Sequence, residues 1–187
     1  MAQQGIRLIG GQWKHSVLKV RELPGLRPTL VRLRKTLADW MRPLQPLTML
    51  DLFAGTGSLG FELASEGARR VVLVEQHPLA VADLRANIAR LPGAAERMEV
   101  IAADSLLWVG GQSDAYDLVV LDPPFKADFA TIVVRATQSA VCGAHTQIYC
   151  EQPRRSCLAP PPSWRVEREA RSGEVVAQLW INGKKES

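Results

Sequence analysis

Thr48-Met49-Leu50-Asp51-Leu52-Phe53-Ala54-Gly55-Thr56-Gly57-Ser58-Leu59-Gly60 holds three structural signals in one short stretch. Residues 48–53 form an apolar run that suits a buried strand, and residues 59–65 have the apolar spacing of a helix. Between them Gly55, Gly57 and Gly60 fit G-x-G-x-x-G, where glycine is needed for a backbone that turns tightly and comes close to a ligand. Strand, glycine turn and helix in that order open a βα unit.

Outward from this stretch the alternation continues. Residues 71–75, 99–103, 117–121 and 146–151 read as further strands, with helices expected over 78–91, 105–109 and 128–141. Strands alternating with helices imply right-handed crossovers and a mostly parallel sheet covered on both faces. The end differs, because residues 164–171, a turn at Ser172 and Gly173, and residues 174–181 read as an antiparallel β-hairpin. The fold class is therefore α/β, a doubly wound, Rossmann-like domain whose ligand lies at the carboxyl ends of the strands.

The N-terminal part has another character. Residues 6–11 and 17–20 suit a small hairpin, followed by the turn signal Pro24-Gly25 and a helix with Thr29 as its expected N-cap. Leu30, Leu33, Leu37, Trp40 and Met41 recur at helical spacing, and Arg32, Arg34 and Lys35 are expected on the opposite face. Pro43 and Pro46 end this segment, which divides the chain into an extension, 1–46, and a main domain, 47–187. No internal repeat or low-complexity segment is found, and residues 160–162, all proline, read as a connector.

The 187 residues are 47% hydrophobic, enough for one soluble domain with a sizeable core. No apolar run approaches the ~20 residues of a membrane span. The start MAQQGIRLIGGQWK has no apolar core of a signal peptide. Cys142, Cys150 and Cys157 lack metal-site spacing, so reduced thiols, a cytoplasmic setting and no metal are expected. The net charge of +4 conceals a polarity: residues 1–48 carry nine basic and two acidic side chains, residues 49–152 seven and thirteen, and residues 153–187 seven and four. A basic arm on an acidic body suits contact with a polyanion, although a solvated helix face would look the same.

The acids separate two classes of ligand. Asp51, four residues before Gly55, would repel the pyrophosphate of a dinucleotide, whereas S-adenosylmethionine has no phosphate and is cationic at its sulfonium and ammonium. Asp51 would then accept from the ammonium or pin the loop, and Glu75 would take the two ribose hydroxyls. Asp104, with the backbone at Ala103, would lie beside the adenine or cap the next helix. Phe53, Gly55, Thr56 and Gly57 complete the expected cofactor set.

Asp122-Pro123-Pro124-Phe125 directly follows the apolar strand. Its prolines restrict the backbone and remove amide donors, so the segment presents a carboxylate, a carbonyl oxygen and an aromatic ring with little freedom. Methylation of an exocyclic amine needs that combination. Asp122 and the Pro123 carbonyl would orient the amine by its hydrogens, and Phe125 would stack on the base.

With these residues in view, the chain resembles the RsmD family of bacterial methyltransferases, which act on the N2 amine of one guanine, position 966, in 16S ribosomal RNA. The likeness runs through Arg7-Leu8-Ile9-Gly10-Gly11, Leu26-Arg27-Pro28-Thr29, residues 51–60, Glu75, residues 122–125 and residues 149–151. It implies a class I methyltransferase fold and S-adenosylmethionine bound by Asp51, Gly55, Gly57, Glu75 and Asp104. It also implies guanine held by residues 122–125. The charge of the arm favours RNA contact through Arg27, Thr29, Arg32 and Arg34 over a merely solvated face. The expected partner is 16S rRNA, within the small subunit or its precursor, met by a monomer with no membrane attachment.

Two departures fall in the arm. Where the family continues Thr-Asp-Arg-Val-Arg-Glu, this chain has Leu30-Val31-Arg32-Leu33-Arg34-Lys35, and the family's Arg-Gly pair after the Gly-Gly segment is Lys14-His15 here. Trp13 could stack on RNA or pack on the body, Trp164 and Trp180 are expected in the core, and His15, His77 and His145 are given no chemistry. Rival readings are an adenine-N6 DNA methyltransferase, for which the chain has no room for a target-recognition domain, and an inactive RNA-binding protein, against which the intact acids argue.

Overall fold

The computed structural model describes residues 3–23, 30–44, 46–124 and 126–183. An antiparallel hairpin of β1 (Gln3–Arg7) and β2 (Val17–Arg21) is followed by α1 (Val31–Trp40). The alternating part runs β3 (Thr48–Asp51), α2 (Ser58–Ser65), β4 (Arg70–Glu75), α3 (Pro78–Arg90), β5 (Met98–Ala102) and α4 (Ser105–Val109). It continues with β6 (Leu118–Leu121), α5 (Phe129–Gln138) and β7 (Gln147–Pro153), and ends in the hairpin of β8 (Trp164–Ser172) and β9 (Val175–Asn182).

These strands form a seven-stranded sheet in the order β5-β4-β3-β6-β7-β9-β8. β3, β4, β5, β6 and β7 are parallel, while β9 is antiparallel to both β7 and β8. The expected doubly wound α/β sheet with an antiparallel C-terminal hairpin is the observed one. Its strand order reverses between β3 and β6, and crevices at such reversals hold ligands in open α/β sheets.

Alternate residues serve two cores. Met49, Val71, Leu73, Leu118 and Val120 pack with the N-terminal hairpin, α1 and α2 on one face, and Leu50, Val72, Val74, Val119 and Leu121 pack with α5 on the other. Gly60 lets α2 lie close on the sheet, since a Cβ there would come within 2.5 Å of Leu73 Cδ2. Trp13, Trp164 and Trp180 are buried, and the Trp13 indole donates to the Pro92 carbonyl at 2.9 Å.

The N-terminal hairpin shares the first core through Ile6, Leu8 and Leu18. Its polar ties go to α2 and α3. Ile9 and Gly10 donate their amides to the Glu62 carboxylate, and Ser65 Oγ donates to the Gly10 carbonyl while accepting from Trp13 N. Gly11 has φ +68°, and a Cβ there would lie 1.9 Å from the Ser65 carbonyl oxygen, so Gly-Gly is required by close docking on the end of α2. On α3, Asn87 bonds both the amide and the carbonyl of Lys19, and Asp83 accepts from Arg21 N.

Some boundaries differ from the sequence reading for local reasons. β3 stops at Asp51 because its Oδ1 turns back to accept from Phe53 N at 3.2 Å, a turn that Asp favours. α1 starts at Val31 with Leu30 in the N-cap position and no side-chain cap bond, and Thr29 lies outside the described residues. α5 ends at Gln138, where Ser139 becomes extended.

Candidate active site

Four adjacent parallel strands each bring a carboxylate to the same end of the sheet. β3 ends in Asp51, β4 ends in Glu75, Asp122 follows the last residue of β6, and Glu151 lies on β7 two residues before its end. Leu121 is registered with Cys150, so Asp122 and Glu151 leave neighbouring strands side by side, about 5 Å apart in the hydrogen-bonding direction. The group straddles the reversal between β3 and β6.

The glycine turn is fixed over these acids by backbone bonds. Ala54 N donates to the Val74 carbonyl at 3.0 Å, Gly57 N donates to the Ala54 carbonyl at 2.7 Å, and Gly55 and Gly57 have φ of 54° and 73°. A Cβ on Gly57 would meet Leu84 at 2.5 Å and Phe61 at 2.9 Å, so both space and dihedral exclude a side chain. Glu75 ties the turn to the next one: Oε2 accepts from Gly55 N at 2.9 Å and Oε1 from His77 N at 2.7 Å. Each carboxylate oxygen accepts more than one donor, so hydroxyl groups can still be received there.

The remaining expected cofactor residues surround this turn. Phe53 is half-buried and Thr56 is buried. Ala103 N donates to the Glu75 carbonyl at 3.1 Å, which joins the end of β5 to the end of β4. Asp104 is exposed and caps α4, its Oδ1 accepting from Leu106 N at 2.9 Å and Leu107 N at 3.0 Å. In the expected acceptor loop, Pro123 is buried, and the exposed Pro124 accepts from Ala127 N at 2.8 Å. Phe125 lies outside the described residues.

Burial and mutual repulsion hold protons in this acid cluster. Asp51, 2% exposed, has its pKa raised to about 8, first by burial and then by the charges of Asp122 and Glu75, against the lowering effect of Phe53 N. Glu151 is also raised to about 8, by burial and by Asp122 and Asp51, while the Tyr149 hydroxyl, donating to Oε1 at 2.7 Å, works the other way. Among the described residues no His, Cys, Asp or Glu cluster has the arrangement of a metal site.

The four expected RNA contacts stand differently. Arg27 and Thr29 lie outside the described residues, and Arg32 is exposed on α1. Arg34 is a correction: it is 2% exposed, and its Nη1 pairs with Glu62 Oε2 at 3.0 Å while Nη2 donates to the Arg7 carbonyl at 3.2 Å. A guanidinium enclosed in this way locks α1 to α2 and β1 and is closed to RNA. Burial lowers the Arg34 pKa and raises that of Glu62, and each charge opposes the shift of the other.

Glu151 and Glu62 are the polar residues to which sequence reasoning assigns no role. For Glu151 the signal exists, because it closes the apolar run 146–151 as Asp51, Glu75 and Asp122 close or follow theirs. For Glu62 there is only an acid among apolar helix neighbours.

Comparison with known proteins agrees with this geometry. The family model described as "Conserved hypothetical protein 95" matches residues 6–181. Ribosomal RNA small subunit methyltransferase D of Haemophilus influenzae is 33% identical, with 97% of this chain and 96% of that protein covered. Its counterpart in Escherichia coli strain K12 is 32% identical over 94% and 89%. Among solved structures, the putative methyltransferase yhhF from Escherichia coli superimposes with a TM-score of 0.84 at 29% identity, covering 97% of this chain and all of that one. A ribosomal protein L11 methylase from Lactobacillus delbrueckii subsp. bulgaricus, at 14% identity and a TM-score of 0.67 over 91% and 88%, shares the fold. By near-complete coverage, strand order and strand-end acids together, the chain belongs to the RsmD family of methyltransferases.

Proposed function

We propose that this protein transfers a methyl group from S-adenosylmethionine to the exocyclic N2 amine of a guanine in 16S ribosomal RNA, position 966 by the family's precedent, in the small subunit or its precursor. The observation that carries the reading is the strand-end acid set, buried Asp51 and Glu151 with half-buried Glu75 and Asp122, beside the glycine turn, in a chain similar over nearly its whole length to the two small-subunit methyltransferases. The cofactor supplies a methyl group on a cationic sulfur. Asp51 would balance its positive charge, Glu75 would accept from the ribose hydroxyls, and Ala103 with the uncapped edge of Asp104 would border the adenine. Phe53, Gly55, Thr56 and Gly57 would form the wall of the pocket.

Asp122 has a separate task. The lone pair of an exocyclic amine is delocalised into its base, so the nitrogen must be turned by acceptors on its hydrogens, for which Asp122 and the Pro123 carbonyl serve. Phe125 would hold the plane of the base. Correct placement supplies most of the rate, because an aligned pair of reactants avoids a large entropic cost. No strong base is required, since the methylated nitrogen is cationic and sheds its proton readily.

The protein would act in the cytoplasm as a monomer, with residues 1–46 as an extension of the methyltransferase domain. Incubation with labelled S-adenosylmethionine and undermodified small subunits, free 16S RNA or DNA, then digestion to nucleosides, tests the reading. N2-methylguanosine from ribosomal RNA is expected. Label in adenine of DNA, or in no nucleic acid, overturns it.

A further inference from the structure

The acid cluster poses a problem for any RNA reader, since a phosphate backbone must approach a group of strand-end acids. Arg34, buried against Glu62, cannot relieve the repulsion. Arg69 and Arg70 are exposed at the opposite, amino end of β4, and Arg70 is occupied by Glu99 and Asp114. At the correct end Lys126 is exposed in the loop after Asp122, and two further cations lie directly beyond β7. Arg154 and Arg155 begin a 3-10 turn, Arg154–Ser156, three residues after Glu151, and both are exposed.

This turn is held at its base. Gln152, only 2% exposed, accepts from Leu158 N at 2.9 Å and donates back to the Leu158 carbonyl at 3.4 Å, which closes the loop across residues 153–157. Pro153 pairs with Val175, and Arg154 N donates to the Glu174 carbonyl at 2.8 Å, so the loop is also bound to the β8–β9 hairpin. Arg155 Nε lies 3.5 Å from Glu174 Oε2, with both side chains largely in water at 89% and 79% exposure. Such a pair is heavily screened and exchanges readily for a phosphate, which takes two parallel N–H bonds from a guanidinium.

We propose that the Arg154–Arg155 turn is an RNA-backbone clamp on the rim of the active site, holding phosphates beside the target nucleotide. The inference rests on the RNA-methyltransferase reading above. The fixed base of the turn places two guanidinium groups where the acids would otherwise repel the strand, and Glu174 is the intramolecular competitor that RNA displaces.

The test measures binding of an unmodified 16S RNA fragment across a salt series, alongside methylation of small subunits. Arg154→Gln with Arg155→Gln should weaken binding about tenfold near 0.1 M salt and reduce the slope of log affinity against log salt by about 1.4, for two lost single-strand phosphate contacts. KM for RNA should rise while cofactor affinity stays unchanged. Glu174→Gln should tighten binding about twofold, an effect that a merely structural turn would not give. Unchanged RNA affinity and salt slope in the double variant overturn the clamp. If wild-type protein binds the fragment with the clamp's salt dependence but methylates no guanine, the functional reading fails and the clamp stands.

Discussion

The Tyr149 hydroxyl donates to Glu151 Oε1 at 2.7 Å from two residues earlier on the same strand, and both side chains are buried beneath the end of β7. Tyr149 is itself fixed by the Trp40 ring, edge-on at 6.4 Å between centroids. The groups facing Glu151 are Tyr149 on β7, Asp122 beyond β6 and Asp51 on β3, and none supplies a positive charge. Burial and these neighbouring acids therefore favour the protonated form of Glu151.

A stability prediction follows from that proton. The folded pKa of Glu151, about 8, exceeds the ordinary value of 4.5, so between these limits the folded state binds more protons than the unfolded chain. Its contribution is then fully present below pH ~4 and is lost as pH rises through ~8. Glu151→Gln imitates the protonated group and removes this loss. The variant should match the wild type in melting temperature near pH 5 and exceed it increasingly up to pH 8. Parallel curves would show that Glu151 is already ionised.

Asp51 makes the same argument for ligand binding. Burial raises its folded pKa to about 8 and favours its protonated form in the free protein, whereas a cationic ligand favours the ionised form. Binding of S-adenosylmethionine should release a proton, with affinity rising from pH 6 to about pH 8 and levelling above it. Calorimetry in buffers of different ionisation enthalpy measures that proton directly. Asp51→Asn should bind more weakly with a flat pH dependence, and an unaltered dependence would remove Asp51 from the cation's partners.

Asp122 should separate chemistry from binding. Asp122→Ala is expected to reduce methyl transfer by at least a hundredfold, about 2.7 kcal/mol of barrier, while cofactor affinity changes less than threefold. The two measurements are single-turnover transfer to small subunits and cofactor titration. A variant retaining a tenth of the wild-type rate would leave the carboxylate without its orienting role.

The ease of reading Asp51, Glu75 and Asp122 from the sequence has a physical cause. Each ends an apolar run, and glycines or prolines mark the adjoining turn, so strand period and turn chemistry coincide. Glu151 lies two residues inside β7, which runs on to Pro153, so no turn follows it directly and it is left without a role. Arg34 is harder because the helical stripe Leu33, Leu37, Ala38 and Met41 includes its own position, four residues after Leu30 and three before Leu37. An arginine on that stripe is either solvated or paired inside, and only the distant Glu62 decides. Gly10 and Gly11 are recognisable as a signature, but their reason, contact with the end of α2, depends on tertiary packing.

His15 tests one departure from the family. The residue that stands where the family has glycine adopts φ 71°, a left-handed conformation that costs a side chain roughly 1 kcal/mol, and its amide is held by the Leu8 carbonyl at 2.9 Å. His15→Gly relieves that cost and is offset only in part by the greater freedom of glycine in the unfolded chain. A gain of up to about 0.5 kcal/mol in urea unfolding is expected. Loss of stability would mean that the imidazole makes a compensating contact.

Arg34 and Glu62 should behave as one unit. The pair is enclosed at 2% and 0% exposure, Glu62 also receives the Ile9 and Gly10 amides, and Arg34 Nε has no hydrogen-bond partner among the described residues. Removing the guanidinium alone leaves a buried carboxylate facing only amides, so Arg34→Met should cost about 3–5 kcal/mol. Glu62→Gln keeps an acceptor for the amides but leaves the arginine unpaired. The double variant removes both charges and should lose at least 2 kcal/mol less than the sum of the single losses, a coupling that urea denaturation of all four proteins measures. Additive losses would show that α1, α2 and the hairpin are held by their apolar contacts alone. Because Arg34 is enclosed, folded Arg34→Met should bind RNA with the wild-type salt slope, whereas an RNA-contacting arginine would take about 0.7 from that slope.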